Sequence, residues 1–264
     1  LILDTKKDMK KQWQLFLTAV MFYTRIPVPK SMEHSDEILN KSTKYFPLMG
    51  WIVGGFGALV FYLSLFIFPF TISIVLSMVA TILLTGAFHE DGFADTCDAF
   101  GGGWTKSKIL EIMKDSRIGT YGTVGLILIL FTKFLCLSSI SIKEIPYVLF
   151  ASHALSRFSA TGMIFYSRYV RDDAQSKSKP VGQNLSVSDF IIAFVFGVTP
   201  LLLLSYITSY WFLILILTVI PVIFFLKRYF EKWIGGFTGD TLGTTQQVSE
   251  IVIYLTFIAI ARFV

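Results

Sequence analysis

Charge is what this 264-residue chain has least of: only 16% of its residues are Asp, Glu, Lys or Arg. A soluble domain carries about 25%. Hydrophobic residues make up 54% before the 19 glycines are counted, and mean hydropathy is +0.65. So little polar surface cannot cover a water-soluble domain of this size. Disorder and a nucleic-acid-binding domain are excluded on the same ground. Cysteine is scarce too. Cys97 and Cys136 lie 39 residues apart with no CxxC and no Cys/His ligand pair. That excludes a disulfide scaffold and a structural zinc site, and leaves two free thiols. No internal repeat is visible, which weighs against an inverted-repeat transporter. A cleavable signal peptide is not expected either. The polar, basic residues 1–12 and the apolar Trp13–Thr24 lead into Arg25-Ile26-Pro27-Val28-Pro29, not a small-residue cleavage site.

What the chain does have is long apolar runs. A helix crossing about 30 Å of hydrocarbon needs roughly 20 apolar residues. About seven segments qualify: 46–68, 71–88, 121–141, 145–166, 189–207, 210–226 and 247–264. Trp13–Thr24 is too short to span and reads as an interfacial or re-entrant helix. The expected fold is therefore all-α: a polytopic helical bundle in a lipid bilayer, forming a single domain over 1–264. With the N-terminus in the cytoplasm, segments 1–45, 89–120, 167–188 and 227–246 share one side. They hold 19 of the 23 basic residues. That asymmetry is the positive-inside signature of a multi-pass protein of the cytoplasmic membrane. The long polar loops all face that side, so the chemistry is expected there.

The most informative stretch is His89-Glu90-Asp91-Gly92-Phe93-Ala94-Asp95-Thr96-Cys97-Asp98. Asp91, Asp95 and Asp98 are spaced i, i+4, i+7, so a continuing helix puts three carboxylates on one face. Like charges at that spacing repel, and a divalent cation removes the conflict. Hard oxygen donors suit Mg²⁺ or Mn²⁺, and Mg²⁺ commonly shares its shell with substrate phosphates. The plain alternative is a solvated acidic helix end. His89 fits a role orienting a carboxylate or touching substrate better than a direct metal role. Gly101-Gly102-Gly103 lacks the context of a phosphate-binding loop and serves equally as a turn. Lys114 and Arg117 supply cations for a diphosphate, or else anchor the membrane surface. Asp115 either joins the metal shell or pairs with Arg117.

Charges also fall inside expected spans: Lys133 in the third, His153 and Arg157 in the fourth. Such charges are expensive and usually functional. Lys133 and Arg157 are expected to line a polar cavity beneath the acidic cluster that draws in an anionic substrate, or to link helices. Gly235-Gly236-Phe237-Thr238-Gly239-Asp240-Thr241-Leu242-Gly243 packs four glycines and one carboxylate into nine residues. Asp240 is placed to join the metal or a ribose hydroxyl. Glu250 is expected to face protein, not lipid.

Taken together, these motifs resemble the cobalamin synthase family, the adenosylcobinamide-GDP ribazoletransferases. The resemblance also rests on Phe22-Tyr23-Thr24-Arg25-Ile26-Pro27-Val28-Pro29, Tyr45-Phe46-Pro47-Leu48-Met49-Gly50 and Lys114-Asp115-Ser116-Arg117-Ile118-Gly119, and runs along nearly the whole chain. Cys97, Ala99 and Thr244-Thr245-Gln246-Gln247 depart from the family pattern. The resemblance implies a Mg²⁺-dependent reaction at phosphorus. α-Ribazole or its 5′-phosphate attacks adenosylcobinamide-GDP, GMP leaves, and adenosylcobalamin or its phosphate forms. On that reading Asp91, Asp95 and Asp98 bind metal, with Glu90 and Asp115 as further ligands. Asp98 is also the candidate general base. Lys114, Arg117, Arg25, His89, Lys133, Arg157 and Asp240 are the substrate-binding set. The implied partners are the two substrates and the bilayer, with no nucleic acid; a homo-oligomer or association with other enzymes of the pathway stays open.

Two other readings compete. A CDP-alcohol phosphotransferase of lipid synthesis also uses an Asp-Gly motif at a membrane surface, but Ala94 is followed by Asp95 where that class has Arg. A membrane cation-binding protein without enzymatic activity would explain the buried charges. Its carboxylates, however, would belong at the bilayer midplane.

Overall fold

The computed structural model describes residues 2–29, 35–171 and 182–264. Part of the expected polar segment 167–188, residues 172–181, lies outside the described residues. Among the described residues the chain is helical throughout. The helices are α1 (Ile2–Tyr23), α2 (Asp36–Ser42), α3 (Phe46–Ser64), α4 (Phe70–Thr85), α5 (Phe88–Gly102), α6 (Lys106–Ile112), α7 (Thr120–Ser138), α8 (Ile145–Tyr166), α9 (Val187–Ile207), α10 (Leu215–Ile234) and α11 (Gly239–Ala261). Short 3₁₀ turns precede α3 and α10. One isolated parallel bridge pairs Tyr169 with Phe237.

The axis of the bundle is α8, which packs against α3, α9, α10 and α11. Its middle reads Ala151-Ser152-His153-Ala154-Leu155-Ser156-Arg157-Phe158-Ser159-Ala160-Thr161-Gly162, and all of these are buried. Small residues let backbones approach, the usual device of membrane helix pairs. Gly50 and Gly54 of α3 lie directly on the backbone of α8, where a Cβ at Gly50 would collide with the His153 carbonyl. Hydroxyls tie the same helices: Ser249 of α11 bonds Ser159 at 2.7 Å.

Five helical stretches are long and apolar enough to cross a membrane, and six if α4 and α5 count as one broken span. Seven were expected, and the differences have physical causes. The core position of α8 lets it carry Ser, His and Arg, because it is wrapped by protein rather than lipid. The 16-residue α4 ends at Gly86, in the left-handed region (φ +67°), and α5 turns 87° away. We read α5 as lying across the end of the bundle, outside the spanning segments. The polar segment 227–246 is also mostly helix. Lys227 and Glu231 pair at 2.8 Å on the outer face of α10. Thr241, Thr244, Thr245, Gln246 and Gln247 of α11 are buried against other helices. Their polarity is satisfied inside the protein, so hydropathy could not show them as helix.

Helix α1 is continuous from Ile2 and amphipathic beyond its first turns. Leu15, Ala19, Val20 and Tyr23 are buried, while Met9 and Trp13 are exposed. It rests on the α2–α3 corner through an edge-on Phe16–Tyr45 contact and a Tyr23–Phe46 ring stack.

Candidate active site

Helix α5 crosses the N-terminal ends of α7 and α11, and both crossings are made by glycine. A Cβ at Gly92 would meet the Asp240 Cα at 2.9 Å, and one at Gly243 would meet the His89 carbonyl at 3.0 Å. This contact brings the two acidic motifs, 150 residues apart in sequence, face to face. A cleft of about 170 Å³ opens there. Its polar lining is Asp91, Asp240, His89 and Arg171, and its wall is aromatic: Phe22, Tyr23, Phe46, Phe88 and Tyr169. The N-terminus of α11 enters it at Gly239. Thr238 caps that helix, accepting from Thr241 N–H, and the Thr241 hydroxyl accepts from Thr238 N–H in return.

Arg171 is the cation of this cleft. Its Nη2 donates to Asp240 Oδ2 at 2.8 Å and to the Met113 carbonyl at 3.3 Å. Its Nε is buried with no partner. The Tyr169–Phe237 bridge holds it in place, with Val170 N–H donating to the Phe237 carbonyl and Phe237 N–H to that of Arg168. A side chain on Gly236 would collide with the Arg168 carbonyl, so this approach needs glycine. Sequence reading counted Arg171 only as a loop charge. No spacing connects it to the acidic motifs, and only the bridge does.

The three aspartates of the motif separate in space. Asp91 is exposed on the cleft wall, and its carboxylate has no hydrogen-bond partner among the described residues. Asp95, one turn on, is half-buried. Burial, then the Asp240 and Asp91 charges, push its carboxyl up to about 7. Asp98 faces α7. Its Oδ2 accepts from Gly119 N–H at 2.6 Å and its Oδ1 from Gly122 N–H at 2.8 Å. A carboxylate at a helix N-terminus is well placed electrostatically, and here each of its oxygens accepts one bond from α7. Glu90 points inward, 8% exposed, and accepts from Gln247 Nε2 at 3.0 Å. Among the described residues, no group of three or more His, Cys, Asp and Glu side chains is gathered as an ion cage.

Other expected site residues lie away from the cleft. Asp115 and Arg117 form a forked pair in the loop after α6. Arg117 is 86% exposed there, and its guanidinium holds the Asp115 carboxyl below the usual carboxylate range. Lys114 is an exposed neighbour in that loop. Arg25 is exposed and packs over Gly86 at the α4–α5 turn. Lys133 and Arg157 are buried in a network behind the cleft. Lys133 Nζ lies 3.0 Å from Glu250 Oε1 and donates to Gln247 Oε1 at 3.0 Å. Glu250, 1% exposed, faces protein as expected and also accepts from Gln246 at 2.7 Å and from the Tyr254 hydroxyl at 3.0 Å. Arg157 bonds His153.

Known proteins similar to this chain agree on one family. The family described as cobalamin-5-phosphate synthase matches residues 15–258. A protein of Shewanella amazonensis, named adenosylcobinamide-GDP ribazoletransferase, is 44% identical over 252 residues, covering 94% of this chain and 96% of its own. Proteins of the same name from Shewanella frigidimarina and Shewanella piezotolerans are 45% and 44% identical, covering 95% and 96% of this chain and 96% and 98% of their own. No solved structure matches. The chain belongs to the cobalamin-5-phosphate synthase family.

Proposed function

We infer that the cleft between α5 and α11 joins α-ribazole, or its 5′-phosphate, to adenosylcobinamide-GDP with release of GMP, and that this face of the bundle lies at the cytoplasm. The observation carrying the assignment of the site is the meeting of Asp91, Asp240 and Arg171 in one aromatic-walled cleft. Such a cleft suits a diphosphate attached to planar rings. Arg171 offers its guanidinium charge to a phosphate, and arginine is the better residue for phosphate recognition. The N-terminus of α11 adds partial positive charge at Gly239. The aromatic wall accepts a heteroaromatic base by stacking, worth about 1–3 kcal/mol per base.

The donor set fits Mg²⁺ completed by substrate rather than caged by protein. Mg²⁺ typically uses one or two carboxylates plus phosphates and water. Asp91 and Asp240 would hold it, with Asp95 behind them. When bound, the ion neutralises charge building on the diphosphate as it is cleaved. Asp98 acts by fixing the α7 N-terminus against α5. Asp91, with no hydrogen-bond partner among the described residues, is the carboxylate free to take the hydroxyl proton or a metal bond.

The test is a reconstitution. Wild-type protein in liposomes receives Mg²⁺, adenosylcobinamide-GDP and α-ribazole or its phosphate. Equimolar GMP and a cobalamin product are expected, with turnover abolished in Asp91→Asn. No product from folded protein, or near-wild-type turnover by the variant, refutes the assignment.

A further inference from the structure

Behind the cleft, on the opposite side of α5, lies a second, smaller chamber of about 10 Å³. Its polar lining includes His89, Glu90, Arg157, Gln246, Gln247 and Glu250, with Thr81, Thr85 and His153 beside them. Three buried polar atoms of these residues have no partner in the protein: Glu90 Oε2, Arg157 Nε and His89 Nε2. All three residues are more than nine-tenths buried. One unmet acceptor, one unmet donor and one ring nitrogen able to do either belong to residues that line the same small chamber. Leaving such groups unsatisfied costs about 1–3 kcal/mol each.

Size and charge select the ligand. A water molecule needs roughly 10–15 Å³ of such volume and two to four polar partners. The fixed charges already balance, Lys133 and Arg157 against Glu90 and Glu250. The Arg157 Nε–H would repel a cation. We propose that this chamber is a binding site for one water molecule, and that Glu90, held by that water and by Gln247, is a positioning residue for Asp91. The water accepts from Arg157 Nε–H, donates to Glu90 Oε2 and meets His89 Nε2.

The functional consequence follows from helix geometry. Residues 90 and 91 point about 100° apart, so one looks inward and the other into the cleft. Fixing Glu90 fixes the rotation of α5. A rotation of about 10° moves a carboxylate some 6 Å from the axis by roughly 1 Å, a misplacement that can cost about a hundredfold in rate. This role rests on the transferase reading above, whereas the water site does not.

Two measurements test it. A high-resolution experimental structure should show density about 2.7–3.2 Å from all three atoms. An empty chamber, or a feature about 2.0–2.2 Å from the carboxylate as for a metal, overturns the site. The second is an exchange series: Glu90→Gln, Gln247→Glu and both together, followed by kinetics and by detergent unfolding. Glu90→Gln should lower kcat about 10–100-fold, the usual cost of losing an outer partner, with KM for both substrates within about twofold; the unfolding midpoint should also fall, because one charge of a balanced buried set is lost. The double exchange restores the pair and should recover most of kcat. Unchanged kcat in Glu90→Gln, a parallel rise in KM, or no rescue overturns the positioning role. If wild-type protein releases no GMP, the transferase reading fails. The density and the 90–247 coupling in unfolding free energy then still decide the water and the clamp.

Discussion

Glu250 offers the sharpest energetic test of the buried network. Its carboxylate is 1% exposed and sits among Lys133 at 3.0 Å, Gln246 at 2.7 Å, Tyr254 at 3.0 Å and His153 at 3.8 Å. Glu250→Gln keeps the shape and removes the charge. Lys133 would then keep only the Gln247 carbonyl oxygen as acceptor, and Arg157 would lose one of its two nearby negative charges. Removing one partner of a buried pair costs about 3–5 kcal/mol, because the other charge stays buried and uncompensated. At 1.4 kcal/mol per decade that is roughly a hundredfold to a few thousandfold in the folded-to-unfolded ratio.

Lys133→Met alone should cost somewhat less, since Glu250 keeps Tyr254, Gln246 and the His153–Arg157 pair. Removing both charges also removes the desolvation penalty. Replacing both members of a buried pair is often neutral or better. The double variant should therefore be more stable than the sum of the single losses by about 2–3 kcal/mol. Reversible unfolding in mixed micelles measures all three variants. Additivity within about 0.5 kcal/mol would mean that the two side chains do not interact, and the reasoning would fall. The double variant also decides the sequence-based expectation that Lys133 meets substrate. A buried strut leaves KM unchanged, whereas a substrate contact raises it.

Three further outcomes are expected. Gly50→Ala places a methyl about 2.6 Å from the Ala154 backbone nitrogen, so α3 must move off α8 at a cost of roughly 1–3 kcal/mol or more, read as a lower unfolding midpoint and less protein in the membrane. Arg171→Ala should raise KM for adenosylcobinamide-GDP about 10–100-fold, the worth of one charge-assisted bond, while Arg117→Ala, on an exposed loop pair, should change it by under about twofold; equal effects would remove Arg171 from the site. Asp95 carries a carboxyl raised from 3.8 to about 7, so the fold holds its proton more tightly than the unfolded chain does. That contribution is fully present below about pH 4 and is lost as pH rises to about 7. Without divalent cations the wild-type unfolding midpoint should fall across that window, and Asp95→Asn should flatten the fall.

What was legible in the sequence divides along a physical line. Hydropathy reports contact with lipid, so it found the lipid-facing helices α3, α7, α9 and α10. It found α11 but began it at 247 rather than 239, because the first turns are polar where they face α5, and it counted α8 as an ordinary span although it is enclosed by protein. The i, i+4, i+7 spacing put Asp91, Asp95 and Asp98 on one helical stretch correctly. It could not say that the far end of that stretch meets the α7 N-terminus, where Gly119 and Gly122 engage Asp98. Arg171 carries no local signature at all. Its place over Asp240 depends on a bridge between Tyr169 and Phe237, two residues of unrelated loops.

The adjacent pair Glu90-Asp91 shows why so little charge suffices. Two neighbouring carboxylates on one helix meet opposite environments, one in a closed network and one at an open cleft. The inner one is matched by amide and cationic partners, which makes it rigid. The outer one has no hydrogen-bond partner among the described residues, which leaves it available. A soluble enzyme can spread its polar support over many surface residues. A bundle with an apolar exterior has its interior seams for that purpose, so α8 and α11 carry buried Ser, Thr, Gln, His and Arg. On this argument the burial of polar residues along α8 and the exposure of Asp91 are one arrangement: the first fixes α5 so that the second can meet its ligand in a set place.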